Sequence, residues 1–459
     1  MTSSRVGWLA RHVLLDLTPL RSSRDFRALM SGQLVSSLGT QLTVVAVPFQ
    51  VYRLTHSSLF VGLVSLAQLF PLMAGALLGG SVIDAVDRRR LLMLVESLMA
   101  LCSAGLAVNA DLGAALWPLF LCPAVSAGLS GVDSATRNSM LPNLVGLAEI
   151  PAANAMFQAL FQLGAVAGPA AGGLLLAGAG IRLVFWLDVA SFAVSVLAAS
   201  LMSAQPPSAS SGRPGLRSVA EGFRFIRGRQ PVQGAYLIDL NAMVFGMPRA
   251  LFPALAATRF GGGATTVGLL YAAPGAGALV GALTTGWVKR IQRQGRAVIL
   301  AVLIWGAAIT GFGLVGWLPA ALLLLAVAGW ADVISSVFRH TIIQFAVPDR
   351  LRGRLMGVQM AVVAGGPRLG DMEAGVVATG FGNTTSVISG GLACIAGALV
   401  LARLLPQFRQ QQAAPPPGSA PPDASPPAPP SLPEQPSLPE QPPAPEQPPA
   451  PAPPSAAGG

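Results

Sequence analysis

The sequence predicts an all-α polytopic membrane protein of twelve transmembrane helices in two six-helix halves. Three observations predict it. The 459 residues are 53% hydrophobic and only 10% charged, with a mean hydropathy of +0.61, whereas soluble domains carry roughly 25% charged residues. Apolar runs of about 20 residues, enough to cross a bilayer, recur from residue 29 to residue 405. The cations fall in short clusters between those runs. The net charge of +10 therefore reads as membrane anchoring, and no nucleic-acid partner is expected, because that would need one basic face.

The spans are read in order at 29–51, 57–80, 91–110, 115–136, 152–178, 182–203, 232–257, 266–288, 297–316, 319–338, 355–379 and 385–405. Charge tests the count. With the N-terminus in the cytoplasm, 24 of the 29 cations lie in inward segments and three (Arg53, Arg182, Arg259) in outward loops. Arg249 and Arg368 lie within spans. That asymmetry is the positive-inside pattern, and it places both termini of a multi-pass plasma-membrane protein inside. Residues 1–28 form a cytoplasmic segment with five arginines and no signal-peptide core.

The halves are residues 29–203 and 232–405, joined by a cytoplasmic loop, 204–231, whose second part is amphipathic and basic and suits the inner membrane surface. Internal similarity supports the division. "VGLVSLAQLFPLMAGALLGG" (61–80) echoes "VGLLYAAPGAGALVGALTTG" (267–286), and Gly-Pro-Ala-Ala-Gly (168–172) echoes Gly-Pro-Arg-Leu-Gly (366–370). Two such halves are the repeat architecture of many secondary transporters. From 406 to 459 proline dominates, in repeats such as "PSLPEQ", which favours extended chain over a packed core. This segment reads as a disordered cytoplasmic tail, either a passive extension or a ligand for proline-recognising domains.

Two stretches carry motif-like spacing. "GGSVIDAVDRRRLL" (79–92) sets Gly80 and Asp84 ahead of Arg88, Arg89 and Arg90 at a helix junction. "GAVAGPAAGG" (164–173) places Gly164, Gly168 and Gly172 at i, i+4 and i+8, with Pro169 and Gly173 beside them. Such a face lets another helix approach closely, which drives association in lipid. The junction stretch resembles the inter-helix motif of the major facilitator superfamily, with Ala85 where that family often has a basic residue. The resemblance implies that Gly80 permits close packing and that Asp84 and Arg88 hold the halves shut on the cytoplasmic side. The glycine-rich stretch is similar to the fifth-helix motif of that superfamily's exporters, which implies packing against the other half and antiport. Residues 14–39, 239–256 and 358–378 further resemble the enterobactin-exporter branch, a likeness that extends over 14–405. It implies secondary export of small organic molecules, siderophore-type and proton-coupled, with multidrug or macrolide efflux as the alternative within the superfamily.

Ionisable residues inside a membrane are functional candidates by default. Asp239 and Arg249 fall in the seventh span, and Arg368, Asp371 and Glu373 in the eleventh. Arg368 and Asp371, at i and i+3, share a face and can pair. Asp239 and Glu373 have no such cation in their own helices, so they are favoured over Asp371 as the group that exchanges a proton, with Arg249 able to pair with either. Glu96, Asp133, Asp188 and Asp332 lie nearer span ends and read as helix or loop partners. Gln41 and Asn241 are the candidates for lining a cavity. Neither the three cysteines nor the three histidines have ligand spacing, so no metal or cofactor is expected. An enzyme would need a nucleophile or acid–base cluster, and an ATP-driven pump a phosphate-binding loop around a lysine. The lone lysine, Lys289, is not placed that way. The chain reads as a monomeric carrier, not an enzyme.

Overall fold

The computed structural model describes residues 16–83, 85–206, 224–347 and 349–412. Outside them lie the start of the N-terminal segment, Asp84, residues 207–223 of the central loop and 413–459 of the expected tail. Twelve long helices run through the described residues: α1 (Arg24–Thr55), α2 (Ser58–Ile83), α3 (Arg88–Asp111), α4 (Pro118–Leu144), α5 (Ile150–Gly178), α6 (Gly180–Ser200), α7 (Gln230–Phe245, resumed as Phe252–Thr258), α8 (Ala264–Leu283), α9 (Gln294–Leu314), α10 (Leu318–Ala346), α11 (Asp349–Phe381) and α12 (Asn383–Leu404). No strand occurs among the described residues. Ten are long and apolar enough to cross a membrane. The other two, α4 and α11, carry Asp133 and Arg137, and Arg368, Asp371 and Glu373.

Their ends follow the sequence chemistry. The Ser23 hydroxyl accepts the Phe26 N–H at the start of α1, and the Asp87 carboxylate accepts the Arg90 N–H at the start of α3, each satisfying a free amide of a first turn. Proline opens α4, α5, α7 and α10, where the missing N–H has no partner to lose. His56 closes α1 with φ 50°.

The structure corrects three expectations. The seventh span is not one helix. It stops at Phe245 and resumes at Phe252, with a single 3-10 turn, Arg249–Leu251, between. Gly246 and Pro248 break it, and neighbours satisfy the backbone groups freed: Trp305 Nε1–H donates to the Gly246 carbonyl (2.8 Å), Tyr271 O–H to the Arg249 carbonyl (3.1 Å), and the Ala250 N–H to Asp371 Oδ1 (2.9 Å). Second, the tail does not begin at 406. Pro406–Gln410 form a short helix whose Phe408 is wholly buried, filling the space left by Gly234 and Gly295. Third, Arg137 and Arg339 are not loop charges. Both are buried, in α4 and α10.

The two sequence echoes turn out to be the helices that build and join the halves. Within one half α2 crosses α4 with Gly128 against the Pro71 backbone, and within the other α8 crosses α10 with Gly329 against Pro274. Between halves, α5 meets α8 and α2 meets α11. A Cβ on Gly173 would lie 2.7 Å from the Gly268 Cα, and one on Gly375 2.9 Å from the Ser58 carbonyl oxygen. Gly62 and Gly268 are the same position of the echo, and each lets a backbone of the other half touch. Both seams lie towards the end of the bundle that the charge pattern assigns to the outside.

Candidate functional site

Between the halves lies a cavity of two lobes, about 280 and 290 Å³. The first is walled by α1, α5 and the second half, including Gln41, Phe161, Tyr271, Trp305 and Asp332. The second is walled by the first half and α11, including Thr43, Ser65, Gln68, Arg368 and Asp371. Val44, Arg249 and Tyr271 line both. Arg249 stands there because the turn that interrupts α7 carries it, and its charge acts on Asp332 on one side and Asp371 on the other.

Asp371 is a knot. Its Oδ2 accepts the Ser65 hydroxyl of α2 (2.7 Å) and its Oδ1 the Ala250 N–H of the α7 turn, so one side chain joins the broken helix, α11 and the other half. The expected pair with Arg368 is not formed at ion-pair distance. Arg368 Nη1 instead donates to the Ala364 carbonyl (2.7 Å), the acceptor one turn back on its own helix. Asp239 is not free of cations, as its own helix had implied. It is ion-paired with Arg339 of α10, and Arg339 lies 3.8 Å from Asp332. That cation sits 100 residues away in sequence, beyond any helical spacing rule. Glu373 is half-buried and makes no hydrogen bond or ion pair with a described residue. Asn241 lines neither lobe. Its amide donates to the Cys394 carbonyl (2.9 Å) and ties α7 to α12. Gln41 does line the first lobe.

The motif residues divide. In the fifth-helix stretch, Gly168 and Gly172 face Gln41 and Leu42 of α1, in their own half, and Gly164 is looser against Ser37 and Gln41. The contact with the other half comes from Gly173 and the Pro169 carbonyl, both against Gly268, and from the Ala165 carbonyl against Gly275. In the junction motif Gly80 lies in α2, and the arginines act inside their own half. Arg88 Nη1 donates to the Ser139 carbonyl (3.1 Å), Arg89 caps α6 through the Ala199 and Ser200 carbonyls, and Arg90 is exposed. Among the described residues Arg88 makes no bond to the other half, and Asp84, its partner in the expected clasp, lies outside them. On α4, Arg137 joins Glu96 of α3 to Asp133.

Sequence reasoning missed Arg339, Ser65 and Tyr271 as parts of the site, and it set Asp188 at a span end. Asp188 is in fact well inside α6 and 2% exposed. Its only signal was being the one acid of that helix.

Two halves joined by glycine seams around a cavity with charged and aromatic walls define a polytopic membrane carrier. The match to the transmembrane secretion effector family over residues 15–423 makes it specific: the chain belongs to that family of the major facilitator superfamily. It is 29% identical over 412 residues to the enterobactin exporter of Shigella boydii serotype 4, and equally to that of Escherichia coli O1:K1, covering 88% of this chain and 97% of each relative. Among solved structures, a POT family transporter in complex with 5-aminolevulinic acid shares the fold at TM-score 0.68 and 14% identity, over 84% of this chain and 97% of that one. A bacterial homologue of the iron transporter ferroportin, in an inward-facing state, gives 0.63 and 17%, over 84% and 99%. The protein is a multi-pass membrane transporter of small molecules.

Proposed function

We propose that this carrier exports a catecholate siderophore of the enterobactin type from the cytoplasm in exchange for protons, as a monomer with both termini inside. The observation that carries the reading is the second lobe, where Arg249 and Arg368 face one carboxylate, Asp371, beside hydroxyl and amide groups. Two guanidiniums suit an acidic, hydroxyl-rich aromatic ligand, through charge-assisted hydrogen bonds and stacking on the ring faces. Phe161, Tyr271 and Trp305 in the first lobe add apolar walls. The likeness to the enterobactin exporters points the same way. The seams between the halves close the end assigned to the outside, so the cavity is offered to the cytoplasm. Uphill export then draws on an ion gradient. Asp239, held by Arg339, is withdrawn as the exchanging group, while Glu373 and Asp371 remain candidates.

Uptake of enterobactin into inside-out vesicles tests this. It should need an inward-acid pH gradient, collapse with an uncoupler, and fall by about tenfold in Arg368→Gln. Uptake of a macrolide with no uptake of enterobactin would assign the chain to the multidrug alternative.

A further inference from the structure

Four carboxylates are buried among the described residues: Glu96, Asp188, Asp239 and Asp371. A guanidinium acts on three of them, but on Asp188 only hydroxyls do. Its Oδ2 accepts the Thr43 hydroxyl of α1 (2.8 Å) and the Ser103 hydroxyl of α3 (2.7 Å), and its Oδ1 has a longer contact from Ser191, 3.5 Å. Gly39 makes room, since a Cβ there would lie 2.7 Å from Oδ1. A carboxylate this deep in a membrane needs a positive charge to come and go with it. Thr43 offers the route. It is half-buried, lines the second lobe of the cavity, and turns its hydroxyl to Asp188.

We infer that Asp188, with Thr43 and Ser103, is a proton-binding site of this carrier, filled and emptied from the second lobe through Thr43. The inference rests on the proton-exchange reading above and adds Asp188 to Glu373 and Asp371 as a group that takes up the proton. In loading, a hydronium in the cavity gives a proton to Thr43 Oγ1 and becomes water, while the Thr43 O–H proton passes to Asp188 Oδ2. The hydroxyl is restored, the carboxylate becomes the acid, and emptying reverses both transfers. An ionised carboxylate only accepts hydrogen bonds, whereas the acid donates one. Both short bonds end on Oδ2, so a proton there reverses one of them: Thr43 then accepts from the acid and turns its own hydrogen to the cavity. Thr43 belongs to the helix that carries Gln41 and Val44 into the cavity, which is how occupancy reaches the substrate. The short distances are those of O–H···O bonds and leave no gap for a sodium ion.

The charged groups around the site are few. On α1 none lies between Arg27 and Arg53, and α5 has none. On α3 the nearest are the Cys102 thiol, Glu96, already bound to Arg137, and Asp111 at the far end with Arg182 of α6.

The test uses the full chain in liposomes with enterobactin as probe, comparing uptake driven by a pH gradient with exchange across equal pH. Asp188→Asn should lose gradient-driven uptake by about tenfold or more while exchange falls by less than about twofold. Thr43→Val should lose part of the coupling in the same sense. Infrared difference spectra should show a carboxylic-acid band that titrates in the wild type and is missing in Asp188→Asn. Gradient-driven uptake kept in Asp188→Asn, an equal loss of uptake and exchange, an unchanged acid band, or drive by a sodium gradient would each overturn the inference. Failure of the broader reading differs: the wild type itself would be insensitive to the uncoupler.

Discussion

The two seams between the halves come from one repeated design but are closed differently. Where α5 meets α8, glycine stands on both sides, Gly173 against Gly268, and no side chain intervenes. Where α2 meets α11, Gly62 plays the part of Gly268, but Asp371 occupies the echo position of Gly173 and bonds Ser65, with Ser58 donating to Asn383 nearby (2.8 Å). Backbone contact of the first kind depends on shape alone, which is how helices associate without a hydrophobic drive. The α2–α11 contact adds hydrogen bonds, which depend on charge, water and ligand. The difference makes the α5–α8 seam one set by shape and the α2–α11 seam the responsive one.

The sharpest way to break that contrast is Gly268→Leu. Opposing backbones yield little, and overpacking costs about 1–3 kcal/mol even where neighbours adjust, so closure should fall by about ten- to a hundredfold. Labelling of an Ala165→Cys reporter by an impermeant maleimide should rise while membrane insertion stays normal, and unchanged labelling would show that this seam is not packed. Asp371→Ala comes next. It strands the buried Ala250 N–H and the Ser65 hydroxyl at about 1–3 kcal/mol, whereas Asp371→Asn keeps an acceptor and should do less. Ser65→Ala removes one bond, about 1 kcal/mol or fivefold in the same labelling. Least of all, Gly168→Leu should leave seam labelling unchanged, because its face meets Gln41 within its own half. It should still damage export by deforming the first lobe.

The fold was legible because lipid imposes length and apolarity on every span, so boundaries read from hydropathy fall within a few residues of most helices. The repeat was legible too, since the glycines and prolines that form crossings are costly elsewhere in a helix and stand out. The site was less so. Arg137 and Arg339 resemble loop cations, because a charge near a helix end reads the same whether it faces water or a buried acid. Asp239 seemed unpaired in sequence because a helix reveals only its own i±3 and i±4 neighbours. Its partner comes from α10. The break in α7 did have a signal, Gly246-Met247-Pro248, hidden by the apolar residues on either side.

That break gives the molecule a joint. The inner segment of α7 is fastened by Asp239 to Arg339, deep in the second half. The turn beyond it is fastened by the Ala250 N–H to Asp371, at the responsive seam. Between them the chain is held by single bonds from Trp305 and Tyr271. An unbroken helix would transmit any swing of the seam straight to the buried ion pair, as a rigid rod does. A jointed one would let the outer segment pivot while the inner one stays anchored, so a shift at the seam would turn at Gly246 to Pro248 and carry Arg249 with it.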